Sequence, residues 1–211
     1  TFQKNEVGFV LNKNGEPIWF VDKNLFGTLN PRIILTQILK NGNFIGYGVG
    51  KGYEFDINGN IIFQTPNTVG VHHAIIKTLN DTYMIIDSEI ENHPCPGDCP
   101  ENLPEIIEWQ GDRFIEINQE HEIIWDWNTF DYFSLSEYNP FYIERLSESY
   151  PYQTHFDWTH ANSIYYDINN NDIYVSIRNL SRIVNIDYES SIINWQLGNI
   201  NYMDSIFFNQ T

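Results

Sequence analysis

The sequence predicts an all-β chain built from four-stranded antiparallel blades, a segment of a β-propeller, on three observations. A pattern of two short alternating strands around an Asn- or Asp-rich turn occurs four times, and a second hairpin precedes each of the last three copies. Trp19 and Phe63, which close the first two copies, are 44 residues apart, the length of a propeller blade. A β-sandwich or an open sheet also produces alternating strands with turn signals, so the blade-length self-similarity is what favours the propeller.

The first hairpin runs from Val7 to Asp22 across Asn14-Gly15, a pair that accepts the positive φ angles of a type I′ turn. The second copy is Tyr53 to Phe63, the third Arg113 to Asn118 with Glu122 to Trp127, and the fourth Arg182 to Asp187 with Ile192 to Trp195. Each joins a strand ending in an acid or Asn to a strand ending in an aromatic. The preceding hairpins are Ile33 to Tyr47, His73 to Ile86 and His160 to Ile177. The later spacings, 62 and 70 residues, lengthen through insertions at about 89–111 and 129–154, the second expected to hold one short helix around Tyr142 to Ser149. Insertions between blade strands emerge at the ends of a propeller, where ligands enter. Three units and a leading hairpin fall short of a ring, so residues 1–211 read as one partial propeller domain. The sequence starts at Thr1 with neither Met nor a signal peptide and is expected to begin inside a longer precursor; Ser205 to Phe208 reads as a strand whose partner would follow.

Composition narrows the function. A hydrophobic content of 42% with 16% aromatics supplies a core, and no run of about 18 apolar residues offers a membrane span. The net charge of −17, from 28 acidic and 11 basic side chains, argues against nucleic acid and acidic membranes as partners. Cys95 and Cys99 flank three residues; a disulfide needs the fewest assumptions, while a metal site with His93 as a third ligand and free thiols are the other readings. A disulfide implies an oxidising, periplasmic or secreted setting.

The third and fourth units, aligned on their first hairpins, bring His73 opposite His160, each about seven residues before its turn. On a propeller's innermost strand both imidazoles face the central channel. Alternation then puts His160 and Asn162 on one side and Ala161 and Ser163 on the other. Arg178, at the end of the returning strand, reaches the same mouth. A guanidinium, a carboxamide and imidazoles suit a tetrahedral oxyanion. A lone strand histidine is commonly a structural hydrogen-bonder, and repetition is what singles out these two. His72 is expected to point into the blade, His155 is a weaker candidate near the same face, and His93 and His121 read as loop and turn residues. Arg178 also reads as a partner for a carboxylate and Asn162 as a turn cap. Trp125, Trp158 and Trp195 read as inter-blade packing. Tyr132, Phe133 or Tyr142 could line an entrance for a flat ring.

The run Asp157-Trp158-Thr159-His160-Ala161-Asn162-Ser163-Ile164, with Val175 to Ser181, Ile186-Asp187 and Trp195 to Gly198, resembles the aryl-sulfate sulfotransferase family, and Val71 to Ile75 resembles that family's earlier histidine-bearing strand. The resemblance implies a six-bladed propeller that moves a sulfuryl group from an aryl sulfate to a phenol through a sulfohistidine, with no nucleotide donor or other cofactor and no metal. It implies that His73, His160, Asn162 and Arg178 hold the sulfate. His73, His160 and Arg178 are the catalytic candidates, the aryl sulfate donor and phenolic acceptor are the partners, and a homodimer is compatible with this reading. The family's nucleophilic histidine lies on a later blade, and Asn199 to Thr211 contains no His, so this segment is expected to be inactive alone. Ala74-Ile75 stands where an acid often follows, and Asn80-Asp81 replaces an Asn-Gly turn. A non-catalytic propeller serving as a ligand- or protein-binding module and a sulfate or phosphate ester hydrolase are the competing functions.

Overall fold

In the first three copies the turn is organised by the acid or amide that follows its first strand. Asp56 accepts the N–H groups of Asn58 (2.9 Å) and Asn60 (2.8 Å) on Oδ1, while its backbone N–H bonds Asn60 O (3.0 Å) and its carbonyl accepts from Gly59 (2.9 Å). Asn12 and Asn118 repeat the arrangement in their own turns. Only the third loop residue, two before the second strand, takes a positive φ: Gly15 at 83°, Gly59 at 83° and His121 at 67°. The turns are therefore three-residue loops and not the type I′ turn expected at Asn14-Gly15, because a side chain holding two backbone N–H groups leaves one residue to close the bend.

The computed structural model describes residues 9–20, 33–97 and 99–198. The strand read at Ser205 to Phe208, the outer ends of the first hairpin, and Asn199 to Thr211 lie outside the described residues. Among the described residues fifteen strands form four sheets. β1 (Phe9–Leu11) pairs with β2 (Pro17–Phe20). β3 (Ile34–Ile38), β4 (Phe44–Gly48), β5 (Lys51–Phe55) and β6 (Ile61–Gln64) form an antiparallel meander. β7 (Ile75–Lys77), β8 (Tyr83–Pro94), β9 (Ile106–Ile117) and β10 (Ile123–Asn128) form the next, with β11 (His155–Asp157) added parallel to β9. β12 (Ala161–Asp167), β13 (Asp172–Ile177), β14 (Arg182–Asp187) and β15 (Ile193–Gly198) form the last. These are the three units and leading hairpin of the sequence. The chain divides into two compact units, residues 1–85 with 116–124 and residues 86–115 with 125–211.

In the first unit, Trp19 donates to Ile57 O (2.8 Å) and stacks on Phe44 (4.2 Å). Phe63 stacks on Tyr83 (3.8 Å) and meets His121 edge-on. Glu54, 1% exposed, accepts bonds from Asn43 Nδ2 (2.6 Å), Lys77 Nζ (2.7 Å) and Tyr83 Oη (2.6 Å). Burial alone would raise the Glu54 pKa, and these donors hold it below the ordinary glutamate range. Burial first, then the bond to Glu54, pushes the Tyr83 phenol up to about 12.

In the second unit, Trp125 donates to Tyr188 O (3.0 Å), the counterpart of the Trp19 bond, and Trp127 to Ser191 O (3.1 Å). Trp158 departs from the inter-blade role expected of it. It is fully buried against Trp109 and Phe130 and donates to Glu137 O (2.7 Å), so it is the core of an insertion. Trp195 meets Tyr174 of its own sheet edge-on (5.8 Å).

The 89–111 insertion is largely strand, since β8 and β9 extend to twelve residues each. His93 consequently lies in β8 and not in a loop; its ring bonds Glu91 (2.8 Å) and packs on Phe130. Cys95 and Cys99 form a disulfide with Cα atoms 5.6 Å apart. The second insertion holds two helices where one was expected: α1 (Thr129–Tyr132), and α2 (Pro140–Ser149), which starts on the Asn139 cap with Pro140 in its first turn. α2 buries Ile143 and Leu146. No helix among the described residues is long and apolar enough to cross a membrane.

Candidate oxyanion site

His160 immediately precedes β12 and has φ +49°, a left-handed backbone uncommon for a residue with a Cβ. His73 stands two residues before β7, with φ +61°, and in both repeats a buried alanine follows, Ala74 and Ala161. The expected equivalence of the two histidines is thus a backbone equivalence. The expected alternation is corrected. His160 sits before the strand and a bulge between Ala161 and Ser163 breaks the two-residue period, leaving both Asn162 and Ser163 exposed. His73 belongs to the first unit, half-buried and edge-on to His72 (5.2 Å). His72 Nε2 is shielded from solvent, as an inward orientation requires. His155 is on β11 and half-buried; His121 is the turn residue it was read as.

The remaining candidates converge in the second unit. Asn162 and Arg178 line one open pocket of about 380 Å³ together with Ser176, Ser181, Ile183 and Leu197. Arg178 is 41% exposed by its side chain, and its Nε donates to Asn179 Oδ1 (2.9 Å). Tyr142 of α2 presents its ring 5.8 Å from the guanidinium carbon. Arg182 also lines this pocket, but its side chain is wholly removed from solvent and is committed to Glu137 (2.5 Å) and Gln196 (2.9 Å). Arg178 is therefore the guanidinium this pocket offers to an anion.

His160 joins this group through Asp157. The ionised Asp157 carboxylate can only accept, so His160 Nδ1 donates to Oδ2 at 2.7 Å, and Arg178 Nη2 approaches the same oxygen at 3.5 Å. Burial opposes ionisation of Asp157, but the hydrogen bond and charge of His160, followed by Asn179 and Arg178, hold its pKa below the ordinary aspartate range. The 157–160 and 178–181 loops are tied by Asn179 Nδ2 to Asp157 O (2.5 Å), Asn179 N to Thr159 O (3.0 Å) and Arg178 N to His160 O (3.2 Å).

The sequence profile of the arylsulfotransferase (ASST) family matches residues 1–209. The chain belongs to the arylsulfotransferase family. No curated protein matches it. Among solved structures, a protein of unknown function from Bacteroides caccae is similar at 13% identity and a TM-score of 0.47, covering 95% of this chain and 57% of its own. Kuenenia stuttgartiensis hydrazine synthase is similar at 11% identity and a TM-score of 0.47, covering 87% of this chain and 47% of its own. The arylsulfotransferase-family chain thus spans about half the length of these two structures.

Asp157, Asn179, Thr159 and Asp112 were not singled out from sequence. Asp157 had a local signal, an acid three residues before the histidine in the motif itself. Asp112 had none, because it reaches Thr159 across 47 positions.

Proposed function

We propose that the intact protein transfers a sulfuryl group from an aryl sulfate to a phenol without a nucleotide donor, and that this segment supplies donors that hold the group. The observation that carries the reading is the convergence of Asn162 and the exposed Arg178 on one pocket, with His160 tied to Arg178 through Asp157. In sulfuryl transfer the ester S–O bond breaks, the bond electrons leave with the phenolate, and negative charge builds on that oxygen and on the sulfuryl oxygens. The Arg178 guanidinium donates with a positive charge and Asn162 donates without one, so both are suited to those oxygens. His160 or His73 is suited to pass a proton to or from a phenolic oxygen. Family membership supports a sulfohistidine on a further histidine of the intact protein, and the three successive meanders support a six-bladed ring to which this chain contributes part.

The net charge of −17 opposes encounter with an anionic ester, but it acts across a Debye length of about 10 Å at 0.1 M salt, whereas Arg178 acts in contact. The disulfide supports a periplasmic or secreted protein.

The test is sulfuryl transfer from an aryl sulfate to phenol by the intact protein. Phenol-dependent formation of phenyl sulfate is expected. His160→Ala is expected to lower its rate on the order of 100-fold or more. A His160→Ala variant that keeps its rate would remove His160 from the site, and aryl sulfate consumption that ignores phenol would make the protein a hydrolase.

A further inference from the structure

We propose that two carboxylates act as positioning residues for His160, Asp112 by fixing its backbone and Asp157 by fixing its imidazole tautomer; the role in transfer rests on the function proposed above. Asp112 is 2% exposed and lies in β9. Its Oδ2 accepts from Thr159 Oγ1 (2.5 Å) and from the Ala161 N–H (2.6 Å), the residues on either side of His160. One oxygen thus grips the chain before and after the histidine. Asp112 is itself held, because its N–H donates to Thr129 Oγ1 (3.0 Å) and that hydroxyl donates back to Asp112 O (3.0 Å). Thr129 is completely buried at the start of α1.

A left-handed φ costs a non-glycine residue roughly 1–2 kcal/mol, so it persists where its surroundings enforce it. The Asp112 bonds on both flanks, with Arg178 N–H on His160 O (3.2 Å), are that enforcement. A strand-like φ at His160 would turn the ring to another side of the sheet edge.

Asp157 then sets the ring. Accepting from Nδ1 at 2.7 Å, it places the proton of the neutral imidazole on Nδ1 and the lone pair on Nε2. Nε2 in that tautomer takes a proton from a phenol or, once protonated, returns one to a phenolate. Asn179 keeps the arrangement rigid by bonding Asp157 O and Thr159 O together.

The test reads the histidine directly. Nitrogen-15 NMR of the intact protein at alkaline pH is expected to show His160 as the Nδ1–H tautomer, and Asp157→Ala is expected to shift the population to Nε2–H. Asp112→Asn is expected to move the His160 backbone carbon shifts from left-handed toward extended values. Should that variant fail to fold, Thr159→Val removes one of the two bonds and carries the same readout. In the intact protein Asp157→Ala is expected to lower kcat on the order of 100-fold while the KM for aryl sulfate changes less than about 3-fold, the split expected when general acid–base chemistry and not binding is lost. Unchanged tautomer and backbone shifts would overturn the proposal. An intact wild-type protein that shows the Nδ1–H tautomer yet transfers nothing would leave the positioning in place and sink the transfer reading alone.

Discussion

Glu54 in the first unit and Asp157 in the second are both carboxylates held below their ordinary pKa range by a cation and hydrogen-bond donors, yet they do different work. Glu54 is 1% exposed, and its partner Lys77 is divided between Glu54 and Asp81 at 2.7 Å each. Its donors come from Asn43 just before β4, Lys77 of β7 and Tyr83 of β8, and tie these elements to β5. Asp157 is the last residue of β11, and the arginine beside it keeps 41% of its side chain in solvent while facing a pocket. The Glu54 pair spends its donors inside the fold, whereas the Asp157 pair leaves its cation an open face, as the proposed site requires.

That contrast is sharpest under mutation. Glu54→Ala leaves the buried Tyr83 phenol without its acceptor and Lys77 with Asp81 alone, and is expected to destabilise the fold by roughly 2–3 kcal/mol in urea unfolding. Asp157→Ala is expected to cost about 1 kcal/mol there, its main effect falling on transfer. Equal destabilisation by the two variants would erase the distinction.

The pH dependence separates the arms of the Glu54 cluster. The folded pKa of Glu54 is depressed, so its contribution is present above the unfolded glutamate pKa and is lost as pH falls through the folded value. Tyr83 is raised, so its contribution is complete below the unfolded tyrosine pKa and is lost as pH rises toward about 12. Urea midpoints followed against pH should fall on both sides, and Tyr83→Phe should flatten the alkaline side. An unaltered alkaline side would show that Tyr83 does not carry it.

The smallest effect concerns the helix that brings Tyr142 to Arg178. Asn139→Ala removes the α2 cap, where the side chain accepts from Phe141 N (3.1 Å), and should cost about 1 kcal/mol. A modest rise in KM for aryl sulfate with unchanged kcat would assign Tyr142 to binding; a kcat loss instead would place α2 closer to the chemistry.

The strand pairs were legible because alternation, turn acids and closing aromatics repeat, and the turn acids proved to be the groups that build the turns. The strand extension at 89–94 was missed although its exposed and half-buried residues alternate, since the adjoining Pro and Cys cluster reads as loop. His160 and Arg178 were singled out because they sit at fixed offsets from hairpins, and Asn162 by an alternation that the bulge breaks. The bulge at Asn162 and the left-handed His160 were not legible, because Asp112, which enforces the backbone there, comes from a strand of the preceding sheet. A tertiary contact of that kind leaves no periodic trace in one sequence.

The central claim is that Arg178 and Asn162 receive the sulfuryl oxygens beside His160. A structure of the intact protein with a non-transferable aryl sulfonate tests it most directly. The sulfonate oxygens are expected within hydrogen-bond distance of Arg178 and Asn162, with the His160 imidazole against the same group. A sulfonate bound elsewhere, with Arg178 and Asn162 untouched, would contradict it.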